Sequence, residues 1–156
     1  MNDSVSRLGR ATLLWMIPLN LFLVAWVWFG RIVFGVGGWF IVVFVFTVVP
    51  VVLVAFLVTT ILAFTQRGRP RALTSFQAVA QVLTWLALLV FGAFMPDFGD
   101  TTDSQLSLLT QVFGYSDGLY DLGFTIAILA AGAAVVAYLV LLCSLVFARR
   151  EPTVAA

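Results

Sequence analysis

The carboxylates that could bind a ligand are concentrated in one stretch of the chain, between Pro96 and Asp121. Carboxylate oxygens are the ligands that calcium prefers in proteins. The ligand spacing of an EF-hand loop is absent, however. The stretch therefore favours a solvated acidic loop over a divalent cation site, whose weak candidate ligands would be Asp97, Asp100, Asp103, Asp117 and Asp121.

A second set of polar side chains recurs at helical spacing within an apolar segment. Its members are three or four residues apart, so they share one face of a helix: Thr74, Gln77, Gln81 and Thr84. Such a polar stripe either lines a path for a solute or forms hydrogen bonds with a neighbouring helix. We expect the hydrogen bonds, because an amide that faces lipid is costly. Trp85 beside the stripe also needs an acceptor for its indole N–H, which a neighbouring helix would supply.

The groups used most often in catalysis and metal binding are scarce. The chain has one cysteine, Cys143, and no histidine, so it lacks a dithiol and the commonest general base and metal ligand. No Asp, Glu, Lys, Arg or His falls in the central part of an apolar segment, whereas proton-coupled carriers and ion pathways depend on such residues. We therefore expect no cofactor and no enzymatic activity.

The elements that position these residues are set by an extreme composition. Hydrophobic residues make up 63% of the chain and charged residues 10%, against about 45–50% and about 25% in soluble domains. A membrane-spanning helix needs about 20 mostly apolar residues, and four stretches qualify: about 11–34, 39–64, 72–95 and 122–148. Residues 1–156 are thus predicted to form one all-α domain, a four-helix transmembrane bundle made of two helical hairpins.

The arginines predict the orientation of this bundle, since positive residues beside membrane spans remain in the cytoplasm. Seven of the eight fall on one side of the four-span arrangement: Arg7, Arg10, Arg67, Arg69, Arg71, Arg149 and Arg150. Both termini are therefore expected in the cytoplasm, with the protein in the cell membrane. Arg31 alone falls on the other side, where we expect its guanidinium to extend to the headgroups.

Proline and glycine refine the predicted helices. Gly35, Gly37 and Gly38 predict the turn between the first two helices. Pro18 and Pro50 each remove a backbone donor and predict interruptions of those helices; Asn20 could satisfy backbone that the first proline frees.

The acidic loop also contains a predicted helix. A capping box at residues 102–105 and apolar residues at helical spacing predict a short amphipathic helix over about 103–113, ended by Gly114.

Small side chains recur along the fourth predicted helix, where they would let another helix approach closely. The set consists of Gly123, Ala127, Ala131 and Ala134. It predicts packing within the bundle, or else homodimerisation or docking on a larger partner.

Three functions remain open from the sequence. The favoured one is a non-enzymatic accessory or assembly subunit of a larger membrane complex, with the lipid bilayer, a second copy or other membrane subunits as partners and no nucleic acid. The alternative is an oligomeric channel or carrier for a neutral or lipid-like solute. The third is an enzyme that uses the aspartates of the acidic loop.

Overall fold

A computed structural model describes residues 7–66, 72–98 and 106–148. The regular elements within these ranges are helical: α1 (Arg7–Phe29), α2 (Phe40–Phe46), α3 (Val48–Phe64), α4 (Ser75–Phe94), α5 (Leu108–Phe113) and α6 (Asp117–Ala148). The prediction of an all-α fold is confirmed. Three of its helical segments are long and apolar enough to cross a membrane, and the bent pair α2–α3 is a fourth if it forms one span.

The first predicted span is continuous to its expected end. A 3-10 segment, Gly30–Phe34, prolongs α1, and Gly35 then adopts a left-handed conformation with φ of 74°. Its N–H donates to the carbonyls of Arg31 and Ile32, which closes the helix end. The predicted glycine turn is therefore confirmed.

The second predicted span is broken. Helices α2 and α3 meet at Thr47 with a bend of 41°. Pro50 lacks the N–H that would bond to the carbonyl of Phe46. At the bend, the Thr47 hydroxyl donates to the carbonyl of Val43 over 2.7 Å. The predicted interruption is thus confirmed, with the break one helical turn before the proline.

The connections that precede α4 and α5 both lead into their helices through capping boxes. Thr74 and Gln77 cap the start of α4, and Ser107 and Thr110 cap the start of α5. Helix α5 is shorter than predicted because Leu106 pairs with the backbone of Asp97 and so cannot be helical. Gly114 ends it as expected. The capping box expected at residues 102–105 lies outside the described residues.

Helix α4 lies at the centre of the bundle. It forms its largest interface with α6 and a second one with α1, while α1 also packs against α3. Helices α3 and α6 meet in a smaller contact. The side chains at these interfaces form a single hydrophobic core that runs through the whole bundle.

The predicted small-residue set lies within this packing. Gly123, Ala127 and Ala134 are buried, and Ala131 is half-buried. A Cβ at Gly123 would lie 3.6 Å from the carbonyl oxygen of Phe94, at the end of α4. These small residues therefore let α6 approach its neighbours inside the chain.

Candidate functional site: a buried ion pair and a polar cluster

One polar centre joins the end of the first predicted span to the end of α4. The Nε of Arg31 lies 3.6 Å from Oδ2 of Asp97, and both side chains are 1% exposed. The two residues come from different predicted hairpins, so the pair connects one hairpin to the other. Charges removed from water are costly unless they are paired, which makes this contact a strong constraint on the fold.

Asp97 also organises the backbone around it. Its Oδ1 accepts hydrogen bonds from the backbone N–H groups of Phe40 and Phe98, each over 2.9 Å. Phe40 is the first residue of α2, whose positive N-terminal end favours a carboxylate. The backbone of Asp97 exchanges two further bonds with Leu106, of 2.8 and 3.0 Å. One side chain and its backbone thus hold α2, α4 and the approach to α5 together.

The guanidinium of Arg31 is enclosed mainly by aromatic rings. Its central carbon lies 4.3 Å from the centre of the Phe44 ring and 5.9 Å from that of Phe40, distances at which a cation is attracted to a ring face. None of its three nitrogens has a hydrogen-bond partner among the described residues. The charge is therefore balanced by the carboxylate and by the rings.

These positions correct two expectations. Arg31 does not extend to the headgroups, and Asp97 does not belong to a solvated loop, because each provides the opposite charge that the other needs. Gly38 makes the approach possible, since a Cβ there would overlap the carbonyl oxygen of Phe98 and the carboxylate of Asp97.

A second polar centre lies among α1, α3 and α4 and is built on Asn20. Its Oδ1 accepts from Nε1 of Trp85 over 2.8 Å and from Nε2 of Gln81 over 3.4 Å. Its Nδ2 donates to Oγ1 of Thr60 over 3.0 Å. Asn20 thus bonds to side chains of two other helices. The expected bond to backbone freed by Pro18 is not among those of the described residues.

The polar stripe divides by role along α4. Thr74 is the exposed N-cap, and Thr84 donates to the carbonyl of Ala80 within its own helix. Gln77 donates to the carbonyl of Ser144 on α6 over 3.4 Å, while Gln81 bonds to α1. Both glutamines therefore connect helices, and the indole of Trp85 finds the interhelical acceptor expected for it.

The acidic candidates do not assemble among the described residues. Asp97 is taken up by the ion pair, Asp117 accepts from the Tyr115 hydroxyl over 2.8 Å, and Asp121 is exposed. Asp100 and Asp103 lie outside the described residues. Within the part of the chain that the structure describes, no three acidic, histidine or cysteine residues are grouped as a metal ion would need.

An apolar groove runs along the surface of the bundle where α4 and α6 meet. Its volume is about 810 Å³. Bulky residues such as Leu83, Leu86 and Val136 line it together with small ones, including Gly132 and Ala133. The groove can therefore accept an apolar body, whereas the two polar centres hold the bundle itself together.

Sequence reasoning missed the ion pair and Thr60. Hydropathy describes how apolar a segment is, and it does not indicate which distant residues meet. An arginine at one helix end and an aspartate at another helix end on the same predicted side were the only signal of the pair.

No protein family model, curated protein or solved structure matches this chain.

Proposed function

We propose that this chain is a non-enzymatic subunit of a larger membrane complex, and that the groove between α4 and α6 receives a transmembrane helix of a partner subunit. The observation that carries this proposal is the groove itself, about 810 Å³ in volume and lined by apolar residues. In a bilayer, helices associate through close packing, because lipid tails are as apolar as the side chains they touch. A preformed groove provides the surface for such packing.

Gly132 gives the groove a feature that suits a helix. A Cβ at this position would meet nothing within 4 Å, so packing inside the chain does not require glycine here. Glycine within a helix is less favourable than alanine by about 0.5–1 kcal/mol. Gly132, with Ala133 and Ala137 beside it, would let the backbone of a partner helix approach closely.

The polar side chains support a structural role over transport. Gln81 and Trp85 both donate to the side-chain oxygen of Asn20, and Gln77 donates to a carbonyl of α6. A water-filled path lined by these groups would leave them free to bind a solute. Here their hydrogen bonds instead link α4 to the helices on either side of it.

The arginine distribution supports the orientation in this proposal. Four helices in the cell membrane, with both termini in the cytoplasm, place seven of the eight arginines on the cytoplasmic side. The remaining arginine, Arg31, is buried in the ion pair with Asp97 and so has almost no contact with water.

Site-specific photocrosslinking in cells tests the proposed groove. A photoreactive amino acid at Val136, in the groove, is expected to form one adduct with another membrane protein that also purifies with this chain in a fixed ratio. The same amino acid at Val51, which is 68% exposed on α3, is the matched control and should form no such adduct.

A substitution then separates docking from folding. Gly132→Leu fills open space and should remove the adduct while the protein remains folded, whereas Val51→Leu should leave it in place. Ala127→Leu, at a fully buried position, should destabilise the bundle itself. An adduct between two copies of this chain would show that the groove receives a second copy and not a partner subunit. An adduct with lipid alone would overturn the proposal.

A further inference from the structure

A crevice between α1 and α3 opens on the surface of the bundle, on other helices than the groove. Its volume is about 220 Å³, and the surface that it presents is almost entirely apolar. The buried ring of Phe56 lines it together with the exposed side chains of Leu21 and Leu57. Its two polar members, Asn20 and Thr60, are hydrogen-bonded to each other. The crevice is therefore suited to an apolar body that packs closely and needs no polar partner.

The α1 side of the crevice leads along one helix face to an arginine. Residues on this face are alternately four and three positions apart: Arg10, Leu14, Ile17, Leu21 and Val24. The last three line the crevice, and Leu14, which lies between them and Arg10, is 70% exposed. An exposed apolar strip therefore connects the crevice to Arg10.

Arg7 and Arg10 form an exposed cationic pair at the end of this strip. They lie about one helical turn apart on α1, so their side chains are neighbours, and both are exposed. Neither forms a hydrogen bond or an ion pair among the described residues. A guanidinium presents its N–H donors in a planar fork that matches the oxygens of a phosphate. The two arginines can therefore bind a phosphate group beside the apolar strip.

The distance between the arginines and the crevice matches the dimensions of a phospholipid. At about 1.5 Å per residue, Ile17 lies about 10 Å and Val24 about 21 Å along the helix from Arg10. One leaflet has about 15 Å of hydrocarbon beneath its headgroups, half of the bilayer core. A phosphate at Arg10 therefore places an acyl chain of the same molecule alongside the crevice.

We infer that one anionic phospholipid binds here, with its phosphate at Arg7 and Arg10 and one acyl chain in the crevice between α1 and α3. A zwitterionic lipid fits less well, because its own cation lies beside the phosphate and repels the arginines. The crevice holds about seven groups of the size of a water molecule, enough for a segment of one chain. The inference rests on the membrane location in the proposed function, and it needs no partner subunit.

The test identifies the lipid that lies in the crevice. The full chain, with a photoreactive amino acid at Leu57, is reconstituted in nanodiscs of equal parts phosphatidylglycerol and phosphatidylcholine with identical acyl chains. Mass spectrometry after irradiation gives the headgroup of each attached lipid. The matched control has the photoreactive amino acid at Val58, which is also exposed but lies about 100° around the helix.

Phosphatidylglycerol should clearly exceed phosphatidylcholine among the adducts at Leu57, while the adducts at Val58 should follow the composition of the bilayer. Arg10→Gln should lower the ratio at Leu57 about fivefold, the effect of about 1 kcal/mol per arginine near an anionic headgroup. Arg10→Lys should retain part of the preference, because lysine binds phosphate as a point charge. Both variants should melt at the temperature of the unmodified protein, since Arg10 is exposed.

Two results would overturn this inference alone. Equal lipid ratios at Leu57 and Val58 would show that the crevice does not select an anionic lipid, and an unchanged ratio in Arg10→Gln would show that the arginine does not hold the phosphate. Neither result concerns the groove between α4 and α6, which the adduct at Val136 tests separately. The absence of lipid adducts at both Leu57 and Val58 would contradict the membrane location itself, and with it both proposals.

Discussion

Arg31 and Asp97 form an ion pair at 3.6 Å inside the protein, although they belong to two different predicted hairpins. Arg31 lies just before the turn of the first hairpin, and Asp97 lies at the start of the connection within the second. The carboxylate divides its two oxygens between two tasks: Oδ2 faces the guanidinium, and Oδ1 accepts from the backbone at the start of α2. The same residue therefore neutralises a charge and caps a helix. Loss of the Asp97 side chain should therefore remove hydrogen bonds to the backbone as well as a charge.

The first prediction concerns this pair. Arg31→Met or Asp97→Asn alone leaves the other charge buried and unpaired, and each should lower the free energy of unfolding by about 3–5 kcal/mol. The double variant should lose much less than the sum of the two, because it buries no charge and the asparagine oxygen can still accept from Phe40. Denaturant titration of the protein in detergent measures all four proteins. Strictly additive losses would show that the two side chains do not interact.

The second prediction concerns the turn that lies against Asp97. Gly38→Ala introduces a Cβ that overlaps the carbonyl oxygen of Phe98, and overpacking of this kind typically costs about 1–3 kcal/mol. Gly37→Ala is the control, since its Cβ would lie 3.7 Å from Ile41, at ordinary contact distance. Thermal unfolding in detergent should separate the two variants clearly. Equal melting temperatures would mean that the turn does not lie against Asp97 as described.

The third prediction separates a structural from a transport role for the polar stripe. Replacing Gln77 and Gln81 together with leucine keeps similar bulk and removes bonds to α6 and α1, which should cost about 1–2 kcal/mol in total. It also removes the bond from Thr74 N–H to the Gln77 side chain in the capping box of α4, which adds to this cost. Any loss of cellular function should then follow the loss of assembled protein, measured in the same cells. A fully assembled but inactive double variant would instead support a carrier.

The fourth prediction concerns orientation. In a Cys143→Ser background, cysteines at positions 69 and 104 should lie on opposite faces of the membrane. The cysteine at position 104 should react with an impermeant thiol reagent in intact cells, and the one at position 69 should react only after lysis. Equal reactivity at both positions would contradict the four-span arrangement.

The sequence predicts the helices well because their length and apolar character are local properties. The first segment, 11–34, corresponds to α1 and its 3-10 extension, and the third, 72–95, to α4 within a few residues. Helix α6 begins earlier than predicted, at Asp117, because a polar helical turn carries no hydropathy signal. Thr47 as the site of the bend was missed for a similar reason, since Pro50 indicates a break only to within a turn.

The candidate site was less accessible to prediction. Spacing on α4 was enough to place Gln77 and Gln81 at helix interfaces, because one helix face is encoded locally. Their partners, Ser144 and Asn20, come from other helices and depend on how the bundle assembles. Asp97 looked like one member of an acidic loop, and only the tertiary structure distinguishes it from Asp117 and Asp121.

In the proposed membrane arrangement, the pairing of Arg31 with Asp97 would also impose an order on biogenesis. A ribosome completes Arg31 well before Asp97, so in the proposed four-span arrangement the first hairpin would enter the bilayer while its arginine has no counterion. An arginine within a bilayer is unfavourable by about 2.5–3.5 kcal/mol at the centre of a helix, and less toward its ends. Until the second hairpin arrives, the nascent first hairpin must keep this residue in contact with water or headgroups. In that arrangement, final docking of the two hairpins would coincide with dehydration of the arginine, and truncation before Asp97 should leave a chain that insertion quality control can recognise.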